Sequence, residues 1–200
     1  MNLPNKITLL RICASPLFFV LFFLPDWVAF YTPWMTAAVW GLWGIIELSD
    51  IVDGVIARRC GLESSLGKLF DPFADVVSRL TFFLCFTVAG LIPAWIFIIL
   101  LYRELGNTFL RILALSKGST MGANRTGKMK AVFYSISAAF GLYLYTVETL
   151  FSHMLARRPS PQIQTIVLVL FAVTAAISVF SFGVYLYQFF SSERVRNEGG

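Results

Sequence analysis

Charged residues are scarce in this sequence, and their scarcity excludes most classes of soluble protein. Only 14% of the 200 residues are charged, whereas 58% are hydrophobic and 16% are aromatic. A water-soluble domain is typically about half apolar and about a quarter charged. The 20 phenylalanines and 5 tryptophans are more than one small core can bury. The composition, with a mean hydropathy of +0.75, therefore predicts an integral membrane protein.

Several other features are missing. The sequence has no polar linker or low-complexity run, which predicts a single membrane-embedded domain over residues 1–200. Cys13, Cys60 and Cys85 lack the spacing of a metal site or a disulfide framework. No small-residue cleavage site follows the first apolar run, so we expect a retained helix rather than a signal peptide. The net charge of +5 suits contact with anionic lipid head groups, and no nucleic-acid-binding module is evident.

Six segments approach the length of about 20 mostly apolar residues that a membrane helix needs. They predict an all-α integral membrane fold with six transmembrane helices. The segments are residues 7–24, 27–49, 69–92, 94–116, 129–152 and 163–190. Turn residues separate them, among them Pro25-Asp26, Cys60-Gly61 and Pro93. We also expect a short interfacial helix before the first span.

The distribution of lysine and arginine predicts the orientation in the membrane. One set of short loops and ends carries most of the basic residues, and the opposite set carries only Arg157 and Arg158. Basic loops remain in the cytoplasm. Six spans then place both termini and the loop near residue 60 on the cytoplasmic side.

Four aspartates lie within the stretch "ELSDIVDGVIARRCGLESSLGKLFDPFADVVSRL", residues 47–80. Asp50 and Asp53 share one helix face with Ala57, because residues three and seven apart lie on the same side of a helix. Asp71 and Asp75 form a pair four residues apart on the next helix. The short connection predicts that the two helices are antiparallel neighbours, so the four carboxylates converge at their cytoplasmic ends.

Four carboxylates in one place repel each other and are poorly solvated near a membrane. Divalent cations relieve both effects, and oxygen ligands without His or Cys favour Mg²⁺ or Mn²⁺. Two such ions a few ångströms apart are common in phosphoryl chemistry. Gly54, Ala57 and Gly67 leave room for a ligand, and Arg58 suits phosphate binding. Helix capping explains a single aspartate, but not the joint spacing of four.

Residues 50–75 read D-x-x-D-G-x-x-A-R, eight residues, then G-x-x-x-D-x-x-x-D. This pattern resembles the full signature of the CDP-alcohol phosphotransferase family. The resemblance implies a cytidine-diphosphate donor, release of CMP and a six-helix membrane fold that is often dimeric. It implies that Asp50, Asp53 and Asp71 bind two divalent cations and that Asp75 is the base for the acceptor hydroxyl, in reach of a metal ion. The remaining signature residues would contact CDP: Gly54, Ala57, Arg58 and Gly67.

The acceptor must be recognised by residues elsewhere. The fourth span carries Arg103, Asn107 and Arg111 at intervals of four residues, with Glu104 beside the first. Basic residues continue into the next segment: Lys117, Arg125, Lys128 and Lys130. An arginine inside a membrane span is a functional candidate, although a structural ion pair with Glu104 and ordinary positive flanking remain alternatives. Together these residues favour an acceptor with its own phosphate.

A narrower resemblance points the same way. The segments "NLPNKITLLRI" and "YRELGNTFLRILALSKGSTMGANRTGKMKA" resemble bacterial phosphatidylglycerophosphate synthases. This second resemblance implies that the substrates are CDP-diacylglycerol and sn-glycerol 3-phosphate. It also implies that the reaction takes place at the cytoplasmic face of a bacterial inner membrane. The candidate residues for the acceptor phosphate are Arg103, Arg111, Arg125 and Lys128. Those synthases often have Lys after Asp75, whereas "ADVVS" in this chain is similar to phosphatidylserine synthases.

Three alternatives remain open at this stage. The first is a synthase of the same family that uses serine, inositol phosphate or another alcohol. The second is a divalent-cation channel or transporter, which is less consistent with carboxylates at one membrane face than with carboxylates near the midplane. The third, a structural scaffold, leaves the spacing of the aspartates unexplained.

Overall fold

The computed structural model describes residues 3–60, 67–116, 125–150 and 161–198, with side chains described for 6–50, 52, 72–114, 129–150 and 161–191. This part of the chain is entirely α-helical. The helices are α1 (Leu3–Val28), α2 (Pro33–Cys60), α3 (Gly67–Val88), α4 (Ala94–Ser116), α5 (Arg125–Leu150) and α6 (Pro161–Glu198). Each of the six predicted segments overlaps one helix, so the predicted all-α class is confirmed for the described residues.

The N-terminal boundaries differ from the prediction. The chain does not turn at Pro25, since α1 continues to Val28, and from the first described residue, Leu3, the segment expected to form a separate interfacial helix is part of α1. The helix continues past Pro25 as it does past Pro16, with the loss of one backbone hydrogen bond at each position. The helix ends instead at Val28, and the next residue, Ala29, has a φ of 50°. The Phe30 amide then donates to the Pro25 carbonyl at 3.3 Å, and Pro33 begins α2, where its fixed φ suits a first helical turn.

The turn between α3 and α4 lies at the predicted break, directly before Pro93. Gly90 has a φ of 76°, a conformation that a residue without Cβ adopts easily. The Gly90 amide donates to the Thr87 carbonyl at 3.0 Å and the Leu91 amide to the Phe86 carbonyl at 2.8 Å, which closes α3. Pro93 then directly precedes α4.

The helices form two groups joined by α3. We expected α2 and α3 to be direct neighbours, but within the described residues α1 packs against both, and contact between α2 and α3 is at most marginal. Small side chains allow α1 to approach α3 closely, as the Ser15 hydroxyl donates to the Ser78 hydroxyl at 2.9 Å. In the second group α6 packs against α4 and α5, and α3 contacts both of those helices.

Aromatic side chains fill the centre of the helix bundle. The Phe18 and Phe82 rings meet edge to face with centroids 4.6 Å apart. The Phe22 ring stacks on Tyr145 at 3.9 Å, and the Tyr145 hydroxyl donates to the Phe22 carbonyl at 2.8 Å. These contacts join α1 to α3 and α5, and so hold α1 in the position from which Arg11 reaches Asp50 on α2.

Helix α4 has its polar residues inside and its large apolar residues outside. Arg103, Glu104 and Asn107 are buried. The large apolar residues exposed on this helix are Trp95, Ile98, Tyr102, Leu105, Phe109 and Ile112. This arrangement is the reverse of a helix that faces water and suits an outer surface in contact with lipid. By length and composition, the stretches Lys6–Val28 and Pro161–Ser191 are the two within the described residues that are apolar enough to cross a membrane.

Candidate active site

A cavity of about 280 Å³ lies between the two helix groups, with lining residues from α2 to α6. Its charged and amide side chains form two groups, which we call the acidic wall and the basic wall. The acidic wall, on α2 and α3, consists of Asp50, Asp75 and Arg79. The basic wall, on α4 and α5, consists of Arg103, Glu104, Asn107, Arg111 and Lys130. The cavity thus brings the signature region together with the basic residues of the fourth helix.

The two carboxylates of the acidic wall converge on one guanidinium group. Nη2 of Arg79 lies 2.7 Å from Oδ1 of Asp75 and 3.9 Å from Oδ2 of Asp50. Arg79 follows Asp75 by one helical turn, so the first contact is a local pair, whereas the second joins α3 to α2. The carboxylate side chains remain 40% exposed at Asp50 and 29% exposed at Asp75. Both can therefore be reached by a ligand in the cavity.

A second arginine fixes Asp50 from the opposite side. Nη1 of Arg11, a buried residue of α1, donates to Oδ1 of Asp50 at 2.6 Å. The Ser15 hydroxyl donates to the Arg11 carbonyl at 2.9 Å, in the same region where Ser15 meets Ser78. Because a charge-assisted bond of this kind restrains a side chain strongly, Arg11 sets the orientation of the Asp50 carboxylate.

The described side chains contain no group of three or more His, Cys, Asp or Glu residues that could hold a metal ion. Of the four predicted carboxylates, Asp53 and Asp71 lie outside the described side chains. Asp50 and Asp75 are hard oxygen donors, and Arg79 shows that a positive charge fits between them. Their chemistry therefore fits a divalent cation such as Mg²⁺ or Mn²⁺.

Several predicted site residues have their backbone in a described helix but their side chains outside the described part. These residues are Asp53, Gly54, Ala57, Arg58, Gly67, Asp71, Arg125 and Lys128. Their roles toward the metal ions, CDP and the acceptor phosphate remain predictions.

A buried carboxylate organises the basic wall. Oε1 of Glu104 accepts hydrogen bonds from Nη1 of Arg103 and from Nζ of Lys130, each at 2.7 Å. Nζ of Lys130 also lies 4.9 Å from the centroid of the Tyr134 ring. Two cations share one anion in a buried place, so this part of the wall keeps a net positive charge. Such a charge attracts an anionic ligand into the cavity.

Arg103 is bound to the protein through all three guanidinium nitrogens. In addition to its bond with Glu104, Nε donates to the Ser178 carbonyl at 3.0 Å and Nη2 to the Ser181 hydroxyl at 3.2 Å. The structural pairing that the sequence left open is therefore present. Arg103 lines the cavity as well, but its bonds tie α4 to α6 and fix its position.

Arg111 differs from Arg103 in this respect. It lies two turns further along α4, is half-buried and lines the same cavity. Among the described residues it has no hydrogen bond or salt bridge. Of the four residues predicted to bind the acceptor phosphate, Arg111 is the one whose described side chain is available to a ligand.

Sequence reasoning did not assign Arg79 or Arg11 to the site. The sequence does contain a pattern that points to Arg79, since an acid and a base four residues apart in an apolar helix form a pair. It also contains one that points to Arg11, because a charged residue inside an apolar span needs a partner. That Arg79 also reaches Asp50, and that the partner of Arg11 is Asp50, depends on the packing of α1 between α2 and α3.

Comparisons with known proteins agree with this geometry. The family model described as CDP-alcohol phosphatidyltransferase matches residues 1–187. A Treponema pallidum protein named CDP-diacylglycerol--glycerol-3-phosphate 3-phosphatidyltransferase is 34% identical over 197 residues, 95% of this chain and 90% of the relative. A Bacillus subtilis protein with the same name is 34% identical over 152 residues, 73% of this chain and 78% of the relative.

A third relative has a different name. The cardiolipin synthase (CMP-forming) of Streptomyces coelicolor is 34% identical over 104 residues, 52% of this chain and 47% of the relative. The family match extends over nearly the whole chain, and the helices bring the signature residues Asp50 and Asp75 to one cavity. On this evidence the chain belongs to the CDP-alcohol phosphatidyltransferase family.

Proposed function

We propose that this chain transfers the phosphatidyl group of CDP-diacylglycerol to sn-glycerol 3-phosphate, which yields phosphatidylglycerol phosphate and CMP. The observation that carries the proposal is that Asp75 and the available Arg111 line the same cavity. One is suited to activate a hydroxyl, and the other to bind a phosphate. The Treponema pallidum and Bacillus subtilis relatives are named for this reaction.

The donor half of the reaction belongs to the acidic wall. The family generally depends on divalent cations. Bound there by Asp50, Asp53, Asp71 and Asp75, two Mg²⁺ or Mn²⁺ ions would neutralise the diphosphate and the charge that develops on CMP. Arg11 holds the first of these carboxylates in position. We further propose that the remaining signature residues contact CDP, namely Gly54, Ala57, Arg58 and Gly67.

Asp75 is the proposed base. The acceptor hydroxyl oxygen attacks the phosphorus that carries diacylglycerol, the bond from that phosphorus to the CMP oxygen breaks, and the hydroxyl proton passes to Asp75. The Asp75 carboxylate can accept this proton while it is bound to Arg79, because a carboxylate has about four lone-pair sites. Arg79 therefore orients the base without blocking it.

The acceptor half belongs to the basic wall. Arg111 supplies a planar pair of donors for the phosphate of the acceptor. Arg103 and Lys130, fixed by Glu104, add positive charge that does not need to reorganise when the phosphate binds. We propose that Arg125 and Lys128, in the first turn of α5, complete the phosphate site.

We also propose a place for the protein in the cell. All six helices would cross a bacterial inner membrane, with both termini and the cavity on the cytoplasmic side. The apolar outer face of α4 and the buried charges behind it support this arrangement. The lipid chains would stay in the bilayer while the phosphates meet at its surface. A homodimer is proposed from the family resemblance.

An acceptor screen tests the proposed function. Purified protein in detergent would receive CDP-diacylglycerol and Mg²⁺ or Mn²⁺, with glycerol 3-phosphate, serine, inositol phosphate or phosphatidylglycerol in parallel reactions. We expect CMP release and a new lipid only with glycerol 3-phosphate, and loss of both when EDTA removes the metal. Turnover with another acceptor alone would refute the proposed acceptor and leave the family assignment intact.

A further inference from the structure

One buried amide on the basic wall lacks a hydrogen-bond partner. Asn107 is 6% exposed and lines the cavity, and its Oδ1 atom has no partner within the described part of the chain. It lies on α4 one turn after Arg103 and one turn before Arg111. The three side chains therefore share one helix face, and Asn107 lies between the fixed arginine and the available one.

An unpaired buried carbonyl oxygen is unfavourable, because it has lost its hydrogen bonds to water and gained none from the protein. Most buried polar atoms in proteins avoid this cost. Two cations of the wall already donate to protein acceptors, since Arg103 donates to Glu104 and to α6, and Lys130 donates to Glu104. A hydroxyl group of a ligand in the cavity can supply the donor that Asn107 lacks.

The chemistry of the acceptor supplies such a group. Glycerol 3-phosphate has a phosphate at one end, the reacting hydroxyl at the other and a second hydroxyl between them that does not react. Asn107 and Arg111 lie about 6 Å apart along the helix axis, at roughly 1.5 Å per residue. A three-carbon molecule bound by its phosphate at Arg111 is therefore long enough to pass Asn107. A phosphate at Arg111 and a reacting hydroxyl at Asp75 leave the middle hydroxyl near Asn107.

We propose that Asn107 is a specificity-determining residue, which accepts a hydrogen bond from the non-reacting hydroxyl of the acceptor. This inference rests on the proposed function and adds the group by which the site distinguishes glycerol 3-phosphate from a simpler alkyl phosphate. A site built to bind a hydroxyl rejects an analogue without it, because the protein group then stays unpaired. Asn107 thus acts on the choice of acceptor and not on the donor.

The test compares two acceptors. One is sn-glycerol 3-phosphate, and the other is 3-hydroxypropyl phosphate, which keeps the phosphate and the reacting hydroxyl but lacks the middle hydroxyl. We expect the wild-type kcat/KM to favour glycerol 3-phosphate by roughly 10- to 100-fold. Asn107→Ala and Asn107→Leu should lose most of this preference, through a higher KM for glycerol 3-phosphate with little change toward the analogue.

Two substitutions of Asn107 are compared, so that the test does not depend on the folding of a single variant. Leu is close to Asn in volume, whereas Ala removes most of the side chain. Ser137→Ala is the matched control, because it also removes a buried polar group, one that bonds to Thr174 away from the cavity. It should keep the wild-type preference. Variants that retain that preference, or that lose activity toward both acceptors equally, would overturn the role of Asn107 while the proposed function stands. A wild-type protein inactive with glycerol 3-phosphate would overturn both.

Discussion

The acidic and basic walls of the cavity differ in how firmly their charged groups are held. On the acidic wall the carboxylate side chains are 40% exposed at Asp50 and 29% exposed at Asp75. On the basic wall Arg103 and Glu104 are only 2% and 3% exposed, and both are tied into buried hydrogen bonds. The acidic groups can exchange partners when ligands arrive, whereas most basic groups supply a fixed electrostatic field.

This difference separates two kinds of residue in one site. The exposed carboxylates and Arg111 are candidates for direct contact with ligands. Arg103, Glu104 and Lys130 support them from behind, in positions fixed by α5 and α6. Substitutions on the two walls should therefore have different kinetic effects.

The largest effect is expected on the acidic wall. Asp75→Asn removes the proposed base and should lower kcat by roughly 10²- to 10⁴-fold, the range that general base catalysis usually contributes. Asp50→Asn should be similarly inactive, because it removes a proposed metal ligand. Asp26→Asn is the matched control, since Asp26 is exposed near the end of α1 and does not line the cavity. Near-normal turnover of either cavity variant, measured as CMP release, would refute these assignments.

A smaller and more selective effect is expected on the basic wall. Arg111→Gln should raise the KM for glycerol 3-phosphate by roughly 10- to 100-fold, as expected when a charge-assisted bond to phosphate is lost. The KM for CDP-diacylglycerol should change little. Lys6→Gln removes an exposed positive charge outside the cavity and serves as the control. An equal rise in both KM values would show that the donor and the acceptor are not bound separately by the acidic and the basic wall.

The support of the acidic wall by Arg11 should be visible in the metal requirement. Arg11→Lys keeps the charge but loses the forked geometry that fixes Asp50. Residues that orient a metal ligand typically affect metal binding by about 10- to 100-fold. The half-saturating Mg²⁺ concentration should rise by at least about 10-fold, with kcat partly restored at high Mg²⁺. An unchanged Mg²⁺ titration would contradict this role.

A change outside both walls should affect stability and leave the chemistry intact. A Cβ at Gly141 would lie 2.7 Å from Cε2 of Phe86, whose ring is fully buried and cannot move aside. Gly141→Ala should therefore destabilise the fold by roughly 1–3 kcal/mol, and lower the melting temperature in detergent.

Gly44 offers the matched comparison, because a Cβ there meets nothing within 4 Å. Gly44→Ala should be neutral or slightly stabilising, since alanine favours a helix over glycine. Both variants should keep the wild-type KM values while folded. A Gly141→Ala protein as stable as Gly44→Ala would contradict the close packing of α5 on α3.

The two walls also differ in how far the sequence predicted them. The signature lies within 26 consecutive positions, so the joint spacing of Asp50 to Asp75 indicates metal chemistry without knowledge of the fold. The helices were predictable for a similar reason, since long apolar segments and turn residues are local signals. The predicted break at Pro25 is wrong because a proline inside an apolar helix need not end it, as Pro16 of the same helix also shows.

The basic wall depends on contacts between residues distant in the sequence. Arg103 bonds to Ser178 and Ser181 on α6, and Lys130 bonds to Glu104 from α5. No local spacing distinguishes the fixed Arg103 from Arg111, since both belong to the same face of α4. The sequence could therefore identify basic residues that suit a phosphate, but only the packing separates those that are held by the protein from the one available to a ligand.

The most direct test of the central claim is a crystal structure of the protein with Mn²⁺ and glycerol 3-phosphate bound. We expect anomalous scattering from Mn²⁺ beside Asp50 and Asp75, the phosphate at Arg111 and the middle hydroxyl at Asn107, all within one cavity. Metal ions away from these aspartates, or a phosphate bound outside the cavity, would contradict it.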